Sequence, residues 1–126
     1  MKLSTLMVIT AIVAFFFGIA FVLVTGTLMS CYGVSLSPGG LIVARLFGAA
    51  LLGFAVLTWS ARNAEASEAR KAIILALFIS DSIGFIVALA GQLSGVFNDL
   101  GWSTVIIYLL LALGFGYFQF ANQSTS

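Results

Sequence analysis

Residues 6–24 read LMVITAIVAFFFGIAFVLV, a run in which Thr10 is the only hydrogen-bonding side chain. A helix needs about 20 predominantly apolar residues to cross the hydrocarbon core of a bilayer. Three further runs of this kind follow, at residues 41–59, 72–93 and 105–120. Short polar loops separate the four runs. The sequence therefore predicts an all-α integral membrane protein with four spans.

Short loops make successive helices antiparallel neighbours, so the predicted fold is a four-helix bundle in up-down-up-down antiparallel order. The chain is predicted to form one transmembrane domain, residues 1–126, with helices at roughly 5–26, 38–61, 68–94 and 102–121.

Two serines mark predicted helix starts. Ser37 precedes Pro38, whose missing N–H costs nothing in the first turn of a helix, and Ser67 precedes the third apolar run. A serine hydroxyl at this position accepts a hydrogen bond from a backbone amide that would otherwise be unpaired. The sequence therefore predicts that the second helix begins at Pro38 and that Ser67 caps the third.

The composition excludes several classes of function. The chain is 62% hydrophobic and 7% charged, against about 25% charged residues in a soluble domain. It has no histidine and a single cysteine, Cys31, so it offers no histidine-ligated metal or haem, no internal disulfide and no Cys-x-x-Cys redox pair. We expect no catalytic residue, metal or cofactor in this chain, and this disfavours an enzyme.

The net charge of +1 gives no reason to expect a nucleic acid as a partner. The expected partners are the lipid bilayer itself and either another membrane protein or further copies of this chain in a homo-oligomer.

The basic residues that flank the spans are unevenly placed. Lys2 precedes the first span, and Arg62, Arg70 and Lys71 lie in or beside the second loop, whereas the first and third loops have no lysine or arginine. Cytoplasmic loops of membrane proteins carry an excess of these residues. The sequence thus predicts a multi-pass protein of the bacterial inner (plasma) membrane with both termini and the second loop in the cytoplasm.

Arg45 and Asp81 are the only charged residues inside the predicted spans. An ionisable group near the centre of a membrane helix costs about 2.5–3.5 kcal/mol on insertion scales, so each needs a reason to be there. Arg45 either extends to the outer headgroups and braces the bundle or contacts an anion or headgroup in an outward-facing pocket. Asp81 is either a protonated or serine-bonded carboxyl that joins helices, or a carboxyl that carries protons.

Several polar and small residues are expected beside these two charges. Whether Arg45 and Asp81 interact directly stays open, and the depth of Arg45 makes Gln92 and Tyr108 its favoured partners. The polar candidates for a functional or structural role inside the spans are Arg45, Asp81, Ser80, Ser82, Gln92 and Tyr108. Small residues allow helices to approach closely in lipid, and those predicted to pack are Gly48, Ala49, Gly53, Gly84 and Ala88.

The region from Tyr32-Gly33 to LIVARLFGAALLG at residues 41–53 resembles the DoxX-like superfamily of small four-helix bacterial membrane proteins. A Tyr-Gly loop precedes a second helix that opens with an arginine, Arg45, and continues with a series of glycines and alanines. The resemblance implies a four-helix membrane protein, and some members are linked as membrane subunits to quinone- or thiol-related redox systems.

Two functions are consistent with these features. The first is a non-enzymatic membrane protein, either an accessory subunit or a binder of a lipid- or quinone-like molecule. The alternative is a small proton-coupled transporter that uses the carboxyl of Asp81. The Asp81→Asn substitution distinguishes the two functions, because it should abolish transport but leave an accessory protein intact.

Overall fold

The structure is a computed structural model that describes residues 2–121. Within that range the chain forms five α-helices and a π-helical turn, with no strand. The α-helices are α1 (Leu3–Leu23), α2 (Thr25–Cys31), α3 (Pro38–Ala61), α4 (Glu68–Leu93) and α5 (Gly101–Gly116), and the π-helical turn is Tyr117–Ala121. The predicted limits of the domain, residues 1 and 126, lie outside the described residues.

Four of these helices are long and apolar enough to cross a membrane. They are α1, α3, α4, and α5 taken together with its extension to Phe120. The chain is therefore all-helical, with the composition of a multi-pass membrane protein.

Both predicted helix caps are confirmed. The Ser37 hydroxyl accepts a hydrogen bond from the Gly40 amide at 3.1 Å, and α3 begins at Pro38. The Ser67 hydroxyl accepts one from the Arg70 amide at 3.2 Å at the start of α4. Each serine satisfies one amide that the helix itself leaves without a partner.

The first helix ends earlier than its predicted limit at residue 26. Val24 has φ −130° and ψ 43°, outside the helical range, and α1 stops at Leu23. The Thr25 hydroxyl donates a hydrogen bond to the Phe21 carbonyl. In an unbroken helix the same carbonyl would accept from the backbone amide of Thr25. This local bond supports the break, and the chain then continues as α2 through a stretch predicted to be loop.

The same glycine turn ends α2 and α4. Gly33 has φ +76° and Gly95 has φ +78°, a left-handed conformation in which only glycine avoids a steric cost. In each turn the next amide donates to a carbonyl five residues back, Val34 to Met29 at 2.8 Å and Val96 to Gly91 at 3.1 Å. These are Schellman turns, which pair helix carbonyls that would otherwise be unsatisfied.

The long helices associate in two pairs. The α1 helix packs along α3, and α4 packs along α5, whereas contact between the pairs is sparse. Two glycines bring the backbones of α1 and α3 close together, since a Cβ built on Gly48 would lie 2.9 Å from the Gly18 carbonyl oxygen. The bare backbones touch there, so this contact depends on the absence of side chains.

The two pairs meet at the end of the bundle that holds the start of α1, called here the terminal end. A core of buried side chains joins all four long helices at this end: Leu6, Met7, Ala61, Ile74, Leu77, Phe115 and Phe118. The opposite end, which holds α2, is called here the α2 end. Between the two ends, the pairs stand apart.

Candidate ligand cavity

A cavity of about 510 Å³ lies between the two helix pairs. Ligand sites in proteins are typically of about 300–1,000 Å³, mostly apolar, with a few polar groups at defined positions. All four long helices and α2 contribute to the wall, and seven of its side chains are aromatic: Phe17, Phe21, Tyr32, Phe47, Phe54, Phe97 and Tyr108. The size and the lining are those of a site for a small apolar molecule.

Asp81 is the one acidic residue in the wall of this cavity. It is 8% exposed, and its Oδ2 atom has no hydrogen-bond partner among residues 2–121. It lies twelve residues before the end of α4, so about 18 Å below the α2 end at 1.5 Å per residue. Burying a carboxyl oxygen without a hydrogen-bond partner costs free energy, so Asp81 is the group in the cavity that a ligand would stabilise most.

Tyr108 lies beside Asp81 because Gly84 makes room for it. Gly84 is one helical turn from Asp81, and a Cβ built on it would lie 2.6 Å from Cδ1 of the Tyr108 ring. The ring therefore packs directly on the backbone of α4. Ser80, adjacent to Asp81 in sequence, also lines the cavity. Three of the predicted polar residues, Asp81, Ser80 and Tyr108, are thus brought together.

The threonines of the cavity wall are already hydrogen-bonded. Thr10 donates to the Leu6 carbonyl at 2.9 Å within α1. Thr104 donates to the Tyr32 hydroxyl at 3.3 Å, which links α5 to the segment after α2. The donors of both threonines are therefore used within the chain and do not reach Asp81.

The α2 end of the cavity is closed by a set of hydrogen bonds centred on Asn98. The backbone amide of Asn98 donates to the Tyr32 carbonyl at 2.9 Å, and the side-chain Nδ2 of Asn98 donates to the Cys31 carbonyl at 2.9 Å. Its Oδ1 accepts from the Leu100 amide at 3.0 Å, and its carbonyl accepts from Gln92 Nε2 at 3.1 Å. We call these bonds the Asn98 bridge.

The Asn98 bridge brings two aromatic rings over the cavity. Tyr32 and Phe97 meet edge to face, with 6.1 Å between ring centroids, and both line the cavity. The bridge therefore closes the cavity at the α2 end, as the core of buried side chains does at the terminal end.

The cavity opens sideways, between α3 and α4. Three of its lining side chains are also exposed, Phe47 by 41%, Ile83 by 57% and Val87 by 65%. Phe47 is on α3, Ile83 and Val87 are on α4, and these two helices lie in different pairs. A molecule that enters through this opening crosses an apolar edge and not a polar loop.

Arg45 lies away from the cavity. It is exposed on α3 and is not part of the cavity wall. The ion pair found among residues 2–121 joins Lys71 Nζ to Glu68 Oε1 at 3.7 Å, so Arg45 and Asp81 do not form one.

The remaining predicted residues divide between the cavity, helix contacts and the outer surface. Gln92 belongs to the Asn98 bridge and not to Arg45, and Ser82 is half-buried outside the cavity wall. Gly48 is buried against α1 and Ala88 lines the cavity. Ala49 and Gly53, which were predicted to pack, are exposed, and nothing lies within 4 Å of a Cβ built on Gly53.

Sequence reasoning did not identify the Asn98 bridge. An asparagine in a glycine-rich loop is a usual turn residue, and that signal does not reveal a partner in a distant loop. The five phenylalanines of the wall were equally hidden, because phenylalanine is frequent throughout this chain.

Within residues 2–121, no group of three His, Cys, Asp or Glu side chains is arranged to hold a metal ion. Comparison of the chain with models of protein families, with curated proteins and with solved structures finds no match.

Proposed function

We propose that this chain is a four-pass membrane protein that binds a hydrophobic small molecule, of lipid- or quinone-like character, in the cavity between its helix pairs. The observation that carries the proposal is the cavity itself, an apolar volume of about 510 Å³ that opens between α3 and α4. Its wall holds one buried carboxyl, Asp81, which has an oxygen without a partner. A molecule dissolved in the bilayer would reach this site without crossing water.

The proposed architecture is an up-down-up-down antiparallel bundle inserted in the bacterial inner membrane. The contacts of the terminal end support this order, since they join the start of α1, the end of α3 and the end of α5. Both termini and the loop between α3 and α4 would face the cytoplasm, because Lys2, Arg62, Arg70 and Lys71 all belong to that end.

Aromatic side chains at both ends agree with this placement. Trp59 and Tyr117 at the terminal end and Trp102 at the α2 end are exposed, as rings at a membrane interface are. The Arg62 guanidinium lies 4.1 Å from the centroid of the Trp59 ring. A tryptophan beside a cation at the end of a span is typical of the headgroup region.

From the resemblance in sequence, we also propose that the chain belongs to the DoxX-like superfamily. In that case it would act as an accessory subunit, together with another membrane protein or with further copies of this chain.

Binding to the cavity can be tested with 1-pyrenemethanol, a neutral aromatic probe. We expect saturable binding, one probe per chain, when nanodiscs that contain the protein are compared with empty nanodiscs in equilibrium dialysis. Ala14→Phe fills the cavity and should remove this binding, because Ala14 is buried in its wall. Ala50→Phe adds the same ring on the exposed side of α3 and should preserve it. Equal binding by both variants, or none by the parent protein, would refute the proposal.

A proton-coupled transporter is the second candidate, and the placement of Asp81 in the cavity favours it. A carboxyl that contacts both a ligand site and a buried environment can exchange a proton for a ligand. Transport would require Asp81, so uptake of a probe into proteoliposomes driven by a pH gradient should vanish in Asp81→Asn. Unchanged uptake in this variant would exclude the coupling, and simple binding would be the better account.

A further inference from the structure

We propose that the cavity selects a membrane-soluble cation, an organic ammonium with an apolar or aromatic body, and holds its charge against Asp81. This inference rests on the proposed binding function and names the class of molecule that is bound. Three observations carry it: the positions of the lysine, arginine, aspartate and glutamate side chains, the aromatic lining, and the shape of the opening.

The cavity holds an acid and no base. None of the five lysine and arginine residues lines it. Lys71 is paired with Glu68, the guanidinium of Arg70 donates to the Ala64 carbonyl, and that of Arg62 donates to the Trp59 carbonyl. Lys2 and Arg45 are exposed. No lysine or arginine among residues 2–121 therefore supplies the countercharge for a buried Asp81 carboxylate, and a bound cation would supply it.

The other acids cannot substitute for Asp81 in this role. Glu65, Glu68 and Asp99 are all exposed in loops or at a helix start, away from the cavity wall. Asp81 is the one buried acid among the described residues. A cation that enters the cavity thus has one anionic group to bind.

Aromatic rings surround the level of Asp81. At 1.5 Å per residue, Phe47 lies about 14 Å and Phe54 about 24 Å below the start of α3, on either side of the depth of Asp81. Tyr108 lies against α4 one turn from Asp81. The faces of such rings attract cations, and more strongly where water is excluded. A neutral ligand would gain the apolar contact but not this attraction.

Apart from Asp81, the polar side chains of the cavity wall carry neutral hydroxyl groups: Thr10, Tyr32, Ser80, Thr104 and Tyr108. The Tyr32 hydroxyl accepts from Thr104 at the α2 end, away from Asp81. A neutral ligand with a carbonyl group would accept a hydrogen bond from such a hydroxyl, but it would leave an ionised Asp81, which is an acceptor only, without a partner. An ammonium is a donor in every direction, and it complements the carboxylate in charge as well.

The test compares 1-pyrenemethylamine, which is an ammonium at neutral pH, with 1-pyrenemethanol, which has the same ring system and no charge. In the parent protein in nanodiscs we expect the amine to bind about tenfold more tightly than the alcohol, after subtraction of binding to empty nanodiscs. In Asp81→Asn we expect the amine to lose this advantage while the alcohol binds as before. Asp99→Asn, which removes an exposed carboxylate, should leave both affinities unchanged.

The outcomes separate this inference from the proposed binding function. If neither probe binds the parent protein, the cavity is not a binding site and both proposals fail. If both probes bind equally and Asp81→Asn changes neither affinity, the binding function stands and the cation inference is overturned. If the amine keeps its advantage in Asp81→Asn, its charge is held elsewhere and the inference is also overturned. Alcohol binding in Asp81→Asn shows that this variant is folded.

Discussion

The Gly84–Tyr108 contact shows how one missing side chain positions the candidate site. The ring of Tyr108 occupies the space where a side chain at residue 84 would lie, and this brings it beside Asp81. Gly53, on α3, has no such neighbour, although its place in a small-residue series looks similar in the sequence. A glycine in a membrane helix is therefore structural only where another element approaches it.

Gly84→Ala should destabilise the protein by about 1–3 kcal/mol, because the added methyl group forces the Tyr108 ring away from α4. Gly53→Ala is the matched control, and it should leave stability unchanged or slightly increased, since alanine favours a helix. The free energy of unfolding can be measured by titration with sodium dodecyl sulfate, followed by far-UV circular dichroism. Equal stability of the two variants would contradict the role assigned to Gly84.

At the scale of elements, the two helix pairs are joined at their ends and separated in the middle. The core of buried side chains joins them at the terminal end, and the Asn98 bridge joins the loop after α4 to the segment after α2. Because contact between the pairs is sparse elsewhere, these two attachments determine the width of the cavity. The break after Leu23 ends α1 and begins α2, whose Met29 lines the cavity.

Asn98→Ala should loosen the α2 end while the terminal end stays packed. The variant loses two side-chain hydrogen bonds, those with Cys31 and Leu100, which together contribute about 1–3 kcal/mol. Hydrogen exchange of the amides in residues 29–34 should become faster, and exchange in the first half of α4 should not change. Asp99→Ala is the control, because Asp99 is exposed and its side chain takes no part in the bridge. Unchanged exchange at residues 29–34 in Asn98→Ala would show that the bridge does not hold this end.

On the scale of the whole molecule, the positions of the basic residues and the apolar interior are both consistent with a bundle that spans a membrane. The basic residues other than Arg45 are at the terminal end, and the interior between the helix pairs is apolar apart from the surroundings of Asp81. In lipid there is no hydrophobic force to press the pairs together, so a gap between them is tolerated where side chains do not interlock. A ligand from the bilayer would fill that gap.

The orientation prediction belongs to this scale. Reporter fusions after Ser126 and within residues 94–101 should read cytoplasmic and external, respectively, because four basic residues flank the spans at the terminal end. Replacing Arg62, Arg70 and Lys71 with glutamine should reduce this bias, while the same change at Arg45 should not, because Arg45 is within a span. A parent protein with the reversed pattern would refute the assignment.

Local sequence is sufficient to recognise the four long apolar helices, the starts of α3 and α4, and the two charged residues within the apolar runs. These features depend on local composition and on caps formed within three residues, so no tertiary contact is needed to recognise them. Tertiary structure alone decided which faces meet. Asp81 faces the cavity, Arg45 faces outward, and Asn98 reaches Cys31 across 67 residues of chain. Lipid tails are as apolar as leucine, so in helices that are apolar all round the pattern of hydrophobic residues does not distinguish a face against lipid from a face against a neighbouring helix.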